Sequence, residues 1–277
     1  MIELPEAVTL ASQIRERLMG RRVKSVIAGS SPHRFAWFNG SPQDYPALLE
    51  GRTVTSTDSH GGLVQVEADG VTLLFGDGVS LKHHAREAKV PERHQLLLEF
   101  DDGSILTASV QMYGGLWAFR NGTFANPYHA VAKEKPSPLS DAFSPQYFSD
   151  ISTGPETSKL SVKALLATEQ RIPGLGNGVL QDILWNAGIH PKRKTGTLTP
   201  DERDRLFTAI RETMTEMTGS GGRDTEKDLF GNAGGYATRM SRNTVGKQCR
   251  RCGDTIRRES YMGGTVTFCP GCQRHIV

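Results

Sequence analysis

Apolar residues recur every three or four positions near the start of the chain, at Val8, Ala11, Ile14 and Leu18, and the pattern stops at Gly20. That period predicts an amphipathic helix beginning near Pro5 and Glu6, with the residues ahead of it pointing into open space. From about residue 22 to 120 the period falls to two. Val64 and Val66 precede Asp69-Gly70, and Val71, Leu73 and Phe75 follow it; Leu96 to Phe100 and Ser104 to Val110 flank Asp102-Gly103 in the same way. An Asp-Gly pair between alternating runs predicts hairpins, and several hairpins predict a β-sandwich or barrel. From Asn121 to about Ser158 no period survives, and Pro127, Pro136, Pro138, Pro145 and Pro155 punctuate the stretch, which predicts a linker.

Helical spacing then returns at Val162 to Glu169 and at Asn177 to Ala187, with Gly188 as the cap before His190-Pro191. A third helix is announced by Thr199-Pro200-Asp201-Glu202. A hydroxyl at the cap, proline at the first helical position and glutamate three residues after the cap form a capping box, and Leu206, Phe207, Ile210, Met214 and Met217 line one face beyond it. The fold class is therefore α+β in two domains. The divisions are a helix plus sandwich over 1–124, a linker over 125–158, a helical domain over 159–238 and a C-terminal ribbon over 239–277.

The ribbon follows from the cysteines. Cys249-x2-Cys252, sixteen residues and Cys269-x2-Cys272 use all four cysteines of the chain in the spacing of a closed four-thiolate Zn2+ site on two knuckles. Such a site leaves no open coordination position, so the metal is structural. Two disulfides in a secreted protein would use the same count, but the opening MIELPEAVTL carries Glu3 and Glu6 where a signal peptide needs positive charge. The chain has no apolar run long enough to span a membrane, and reads as a soluble, cytoplasmic, nucleoid-associated monomer. Its formal net charge is only +3. From Arg239 onward, however, eight basic side chains stand against Asp254 and Glu259. A basic metal-stapled hairpin on a near-neutral body suits a phosphate-reading element, and equally a solvated basic tail.

Arg171-Ile172-Pro173-Gly174-Leu175-Gly176-Asn177 joins two of the predicted helices. Its glycines let the backbone turn tightly. A helix starting at Asn177 would aim free N–H groups and the positive end of its dipole at one spot, as a phosphate site requires. An ordinary helix-turn-helix corner has the same composition. His60, His83, His84 and His94 form no ligand spacing.

Taken together, four segments resemble the family of formamidopyrimidine-DNA glycosylase and endonuclease VIII, from the first residues to the last. MIELPEAVTL is similar to the family's Met-Pro-Glu-Leu-Pro-Glu opening, and Pro138-Leu139-Ser140-Asp141 to its interdomain segment. KALLATEQRIPGLGNGVLQDILWNAGIHP resembles its helix-two-turn-helix, and TFCPGCQ at 267–273 the end of its zinc finger. The resemblance implies a β-sandwich, then a helical lobe with a zinc ribbon, clasping a bent DNA duplex with a damaged nucleotide flipped out. The implied partner is double-stranded DNA carrying a damaged base or an abasic site.

In that family the N-terminal proline amine attacks the sugar C1′ and expels the base through a Schiff base, while the adjacent glutamate shuttles protons and the strand is cleaved by elimination. The resemblance places the glutamates at Glu3 and Glu6 but puts Ile2 where the proline would be. Methionine is trimmed before small residues, so the expected reacting amine is that of Met1, one residue upstream, with Ile2 as the nucleophile if trimming occurs. A displaced nucleophile weakens catalysis. Alignment by eye also places the family's phosphate lysine at Gly62, its zinc-finger arginine at Gly264, and its gap-filling residues at Asp77, Met112 and Tyr113, the last two still able to wedge into a base stack. Asn177, beside Gly176, retains the family's phosphate contact. The expected function is a DNA glycosylase with abasic-site lyase activity. The alternatives are a catalytically degenerate binder of lesion or abasic DNA, or a binder of structured RNA. The segment from about Gly219 to Tyr236 is glycine-rich and expected to be mobile.

Overall fold

A computed structural model describes residues 1–274, apart from the side chain of Asp77. Helix α1 (Leu4–Leu18) comes first. It starts at the expected place because Glu3 and Glu6 form a reciprocal capping box, with Pro5 in the first turn. Its buried face carries Leu10, Ala11, Ile14 and Leu18 against the sheet. Strands β1 (Val23–Ala28) and β2 (Ala36–Phe38), the short helix α2 (Tyr45–Leu49), and strands β3 (Val54–His60), β4 (Leu63–Ala68), β5 (Val71–His84), β6 (Leu96–Phe100) and β7 (Ile105–Arg120) follow. The hairpins predicted at Asp69-Gly70 and Asp102-Gly103 join β4 to β5 and β6 to β7. Asp69 and Gly70 both take left-handed φ, as that turn demands.

The strands form one hydrogen-bonded sheet in the order β1-β6-β7-β5-β4-β3, with β2 parallel to β7. The long strands β5 and β7 run through both leaves of a sandwich. At one end they pair with each other beside β4; at the other they pair beside β6. Side chains of both leaves, among them Val64, Leu73, Phe75, Val26, Leu98 and Leu106, close on a single core with α1. Between the two halves the register of β5 shifts from Asp77 to Val79, and β7 carries residues 111–113 across that gap. A Cβ on Gly78 would lie 2.1 Å from the Tyr113 carbonyl oxygen, so glycine is what lets β7 bulge there. Met112, at the crest, is 69% exposed.

Within 125–158, expected as a linker, lie two short helices, α3 (Pro127–Glu134) and α4 (Pro145–Ser152). Each begins with an Asn or Ser cap followed directly by one of the prolines that had suggested irregular chain. Helices α5 (Val162–Ala167), α6 (Val179–Ala187) and α7 (Pro200–Gly219) build the second lobe around Leu180, Ile183, Leu206, Ile210 and Met214. Thr199 and Glu202 make the predicted capping box, and Gly188 caps α6 at φ 71°. Strands β8 (Arg257–Tyr261) and β9 (Gly264–Phe268) form the terminal hairpin.

The lobes meet backbone to backbone. The β3–β4 turn sits against the loop before α6: a Cβ on Gly174 would lie 2.5 Å from the Gly61 carbonyl carbon, and both residues have positive φ. Leu4 N–H donates to the Gly174 carbonyl at 2.9 Å. The first residues therefore do not project into open space, as the helix pattern alone suggested: Ile2 is buried in the sandwich core and Glu3 in the seam. Gly174→Ala should combine left-handed strain with a backbone clash and lower stability by about 2 kcal/mol or more. A urea midpoint unchanged from the parent would show that the seam has room to spare.

Candidate functional site

Everything chemical near the N-terminus is organised by three side chains from distant parts of the chain. Glu3 is buried, and its carboxylate accepts from the Gly178 and Val179 amides, both at 2.8 Å, at the start of α6. Those amides were expected to face a phosphate; they hold the chain's own carboxylate instead. Arg223, also buried, donates from Nε and Nη2 to the two oxygens of Glu6 at 2.9 and 2.7 Å, and its Nη1 lies 3.6 Å from Glu3. The backbone N–H of Arg223 adds a 3.1 Å bond to Glu6. Burial pushes the Glu3 carboxyl above its usual range, Arg223 opposes this, and the neighbouring Glu6 adds to the rise.

The glycines of the turn have a purpose the sequence did not reveal. A Cβ on Gly176 would meet Glu3 Cδ at 2.7 Å, and one on Gly178 would lie 1.6 Å from Arg223 Nη1. They make room for the triad. Gly176 thus packs against Glu3, and beside it the Asn177 Oδ1 is buried with no hydrogen-bond partner among the described residues. Across from it, a Cβ on Gly264 would come within 3.4 Å of Lys163 Nζ and 3.8 Å of Asn177 Oδ1. Lys163 donates to the Tyr261 carbonyl at 2.7 Å, so its ammonium lies beside Gly264.

The Met1 amine forms an ion pair with Glu226. Neither Glu226 nor Arg223 was identified from sequence, because both lie in the 219–236 segment, which has no periodicity. That segment was expected to be mobile. Instead it is tied down by Gly222 N–H to Met217, Asp224 N–H to Tyr236, Tyr236 N–H to Gly222 and Gly235 N–H to Ser220, with Leu229 and Tyr236 buried. Two cavities flank the first two residues. One, of about 290 Å3, lies between Met1, Glu6, Gly78, Gln111, Glu226 and Arg242. The other, of about 410 Å3, lies on the opposite side of the N-terminal strand, between Met1, Glu3, Gly62 and a group of aromatic rings. Gly62 itself is pressed on Ile2: a Cβ there would lie 3.1 Å from the Ile2 carbonyl oxygen. Met112 and Tyr113 stand at the β7 bulge, and Tyr113 also lines the larger cavity. The side chain of Asp77 is outside those described.

The four cysteine sulfurs lie within 4.8 Å of one another. Cys249 and Cys272 are 3.7 Å apart and Cys252 and Cys269 3.3 Å. A tetrahedral ion with metal–sulfur bonds of about 2.3 Å separates its sulfurs by about 3.8 Å, whereas a disulfide holds them at about 2.05 Å. The donor set therefore fits one metal ion. The Trp185 indole N–H points to Cys249 at 3.4 Å. Burial alone would raise that thiol, but amides of Arg251 and Cys252 and the Trp185 indole bring it to about 6.

Two outcomes follow for the site. Arg223→Ala leaves two buried carboxylates without their cation and should cost about 3–5 kcal/mol at neutral pH. Because the folded-state pKa of Glu3 lies above the unfolded one, the ionised form opposes folding. The variant should regain stability as pH falls through that raised pKa, and the penalty should be full above it. A pH-independent deficit in denaturation curves would refute the assignment. Separately, Cys269→Ser should lose the bound metal, read by elemental analysis of purified protein, and loosen the ribbon against Trp185. Full metal content in the variant would remove Cys269 from the ligand set.

Comparison with known proteins agrees with this architecture. Residues 1–135 match the formamidopyrimidine-DNA glycosylase N-terminal domain, and residues 135–227 match the formamidopyrimidine-DNA glycosylase H2TH domain. Formamidopyrimidine-DNA glycosylase of Symbiobacterium thermophilum is 31% identical, over 99% of this chain and 89% of its own length. That of Erythrobacter litoralis is 30% identical, over 99% and 100%. Among solved structures, the MutM (Fpg) protein of Thermus thermophilus superposes with a TM-score of 0.81 at 26% identity, covering 98% of each chain. Lactococcus lactis Fpg in a complex with abasic-site DNA shares the fold with a TM-score of 0.83 at 23% identity, covering 99% of this chain and 100% of that one. With both lobes matched in order along nearly the whole length, the chain belongs to the formamidopyrimidine-DNA glycosylase family.

Proposed function

We propose that this protein is a base-excision-repair DNA glycosylase with abasic-site lyase activity, whose nucleophile is the amine of Met1. The observation that supports the reading is the position of Met1 between the lobes, where it lines both cavities and its amine pairs with Glu226. A damaged nucleotide extruded from duplex DNA would put its base into the 290 Å3 cavity and its C1′ before Met1. Glu226 positions the ammonium, and the amine reacts once it has given up a proton to solvent. The free amine then bonds to C1′ as the glycosidic bond breaks and the base leaves with its electron pair. Glu3, whose carboxyl is shifted upward by burial, would supply a proton to the sugar-ring oxygen as the ring opens to the imine. Removal of a C2′ proton would then expel the 3′-phosphate.

Binding is carried by other parts. Asn177, through its side-chain N–H, and Lys163 would bind one backbone phosphate, and Met112, with Tyr113 behind it, would fill the space vacated by the extruded nucleotide. The thiolates of Cys249, Cys252, Cys269 and Cys272 would hold one Zn2+, whose role is to staple the basic ribbon. No helix of the described residues is long and apolar enough to cross a membrane. Four closely spaced reduced thiols suit the reducing cytoplasm.

The ion pair between Met1 and Glu226 favours a second reading, a binder of lesion or abasic DNA whose amine is held as ammonium. Sodium borohydride trapping separates the two. On an abasic-site duplex, the enzyme should give a covalent adduct that maps to Met1 and disappears when the amine is blocked. Glu3→Gln should lower turnover about 100-fold while affinity stays within about threefold. Selective binding with no adduct would establish the binder, and an adduct surviving amine blockade would overturn Met1 as nucleophile.

A further inference from the structure

The larger cavity borders a stretch of sheet with small residues. Gly76 of β5, Gly115 of β7 and Trp37 of β2 stand in one row across three strands. A Cβ on Gly115 would lie 1.9 Å from the Trp117 ring, so that glycine leaves the indole its place on the sheet, while a Cβ on Gly76 would meet Leu63, another residue of the cavity wall, at 2.5 Å. Trp37 and Tyr113 face each other with centroids 5.8 Å apart and planes inclined by 37°. Tyr128 reaches in from α3 and is 58% exposed, and Trp37 is 43% exposed. Two of the chain's three tryptophans therefore sit in one solvent-open recess; Trp117 also packs on Leu63, Leu74 and Phe119, whereas Trp37 belongs to none of the hydrophobic clusters among the described residues.

The opposite wall is the Gly174–Gly176 loop, and Gln170 stands at its edge. Glu169 and Gln170 both have left-handed backbones, φ 56° and 49°, a conformation unfavourable for non-glycine residues. The Gln170 carbonyl is held by Lys135 Nζ at 2.7 Å. Lys135 thus puts positive charge near an aromatic recess that carries one side-chain amide at its edge, while the neighbouring Arg171 is paired with Glu169. Planar rings, an amide and a nearby cation are the groups that take up a nucleobase with its phosphate.

We propose that this cavity is a second nucleobase site, which receives an unpaired base of the DNA next to the reacting nucleotide by stacking on Trp37, Trp117 and Tyr128. Its volume of about 410 Å3 falls in the ordinary range for small-molecule sites. Met1 and Ile2 line both cavities, so a base held here lies beside the sugar presented to the amine. The inference rests on the glycosylase reading and adds to it a preference for lesions whose neighbouring pair is disrupted.

The test uses the full-length protein and two labelled duplexes, each with a tetrahydrofuran abasic analogue. One is otherwise fully paired, and the other has a mismatch at the adjacent pair. Fluorescence anisotropy should show the mismatched duplex binding on the order of tenfold tighter, as expected for one stacked base. Tyr128→Ala and Trp37→Ala should each cut that preference to about twofold or less. Their affinity for the fully paired duplex should match the parent, and Tyr128→Phe should restore the preference. Equal affinity of the parent for the two duplexes, or a preference that survives both alanine substitutions, would overturn the second site and leave the glycosylase reading standing. Binding to neither duplex would overturn both.

Discussion

The Glu3 carboxylate lies between the first amides of α6 and the guanidinium of Arg223, and the relation of the two lobes depends on that contact. Glu3 belongs to the segment that leads into the sandwich helix α1; Gly178 and Val179 open a helix of the other lobe; Arg223 comes from the segment after α7. A carboxylate buried in this way is tolerated because two amides and a nearby cation compensate its lost hydration. The compensation is incomplete, since its pKa still rises. The contact that joins the lobes is thus also the one that shifts the Glu3 carboxyl upward.

Three positions singled out in the sequence are physically connected to their surroundings. The Ile2 side chain is absorbed by the sandwich core. Its carbonyl is pressed on Gly62, leaving a Cβ only 3.1 Å of clearance, so any side chain at position 62 would have to displace the N-terminal segment. At the ribbon, Gly264 leaves space that the Lys163 ammonium approaches. The amine of Met1 has Glu226 as its partner.

Much of the fold could be read directly. The helix starts at Pro5 and Pro200, the hairpins at Asp69-Gly70 and Asp102-Gly103, and the cap at Gly188 all rest on interactions within a few residues, which the local sequence encodes. The cysteine cluster was equally legible, because a tetrahedral ion imposes its own spacing on the chain. The prolines of 125–158 misled for an instructive reason: proline ends one helix and begins another, and only the cap residues Asn126 and Ser144 in front of Pro127 and Pro145 distinguish the two uses.

What the sequence by itself determined, then, was everything set by short range: element type, turn chemistry, the metal-ligand spacing and the motifs that suggested a family. The tertiary structure decided the roles. It assigned the α6 amides to Glu3 and not to a phosphate, brought Arg223 and Glu226 to the N-terminus across more than two hundred residues, and gathered Trp37, Trp117 and Tyr128 around one cavity. None of these pairings has a period or a spacing. They arise from the packing of two lobes on each other, and a contact between residues remote in sequence leaves no local pattern from which to read it.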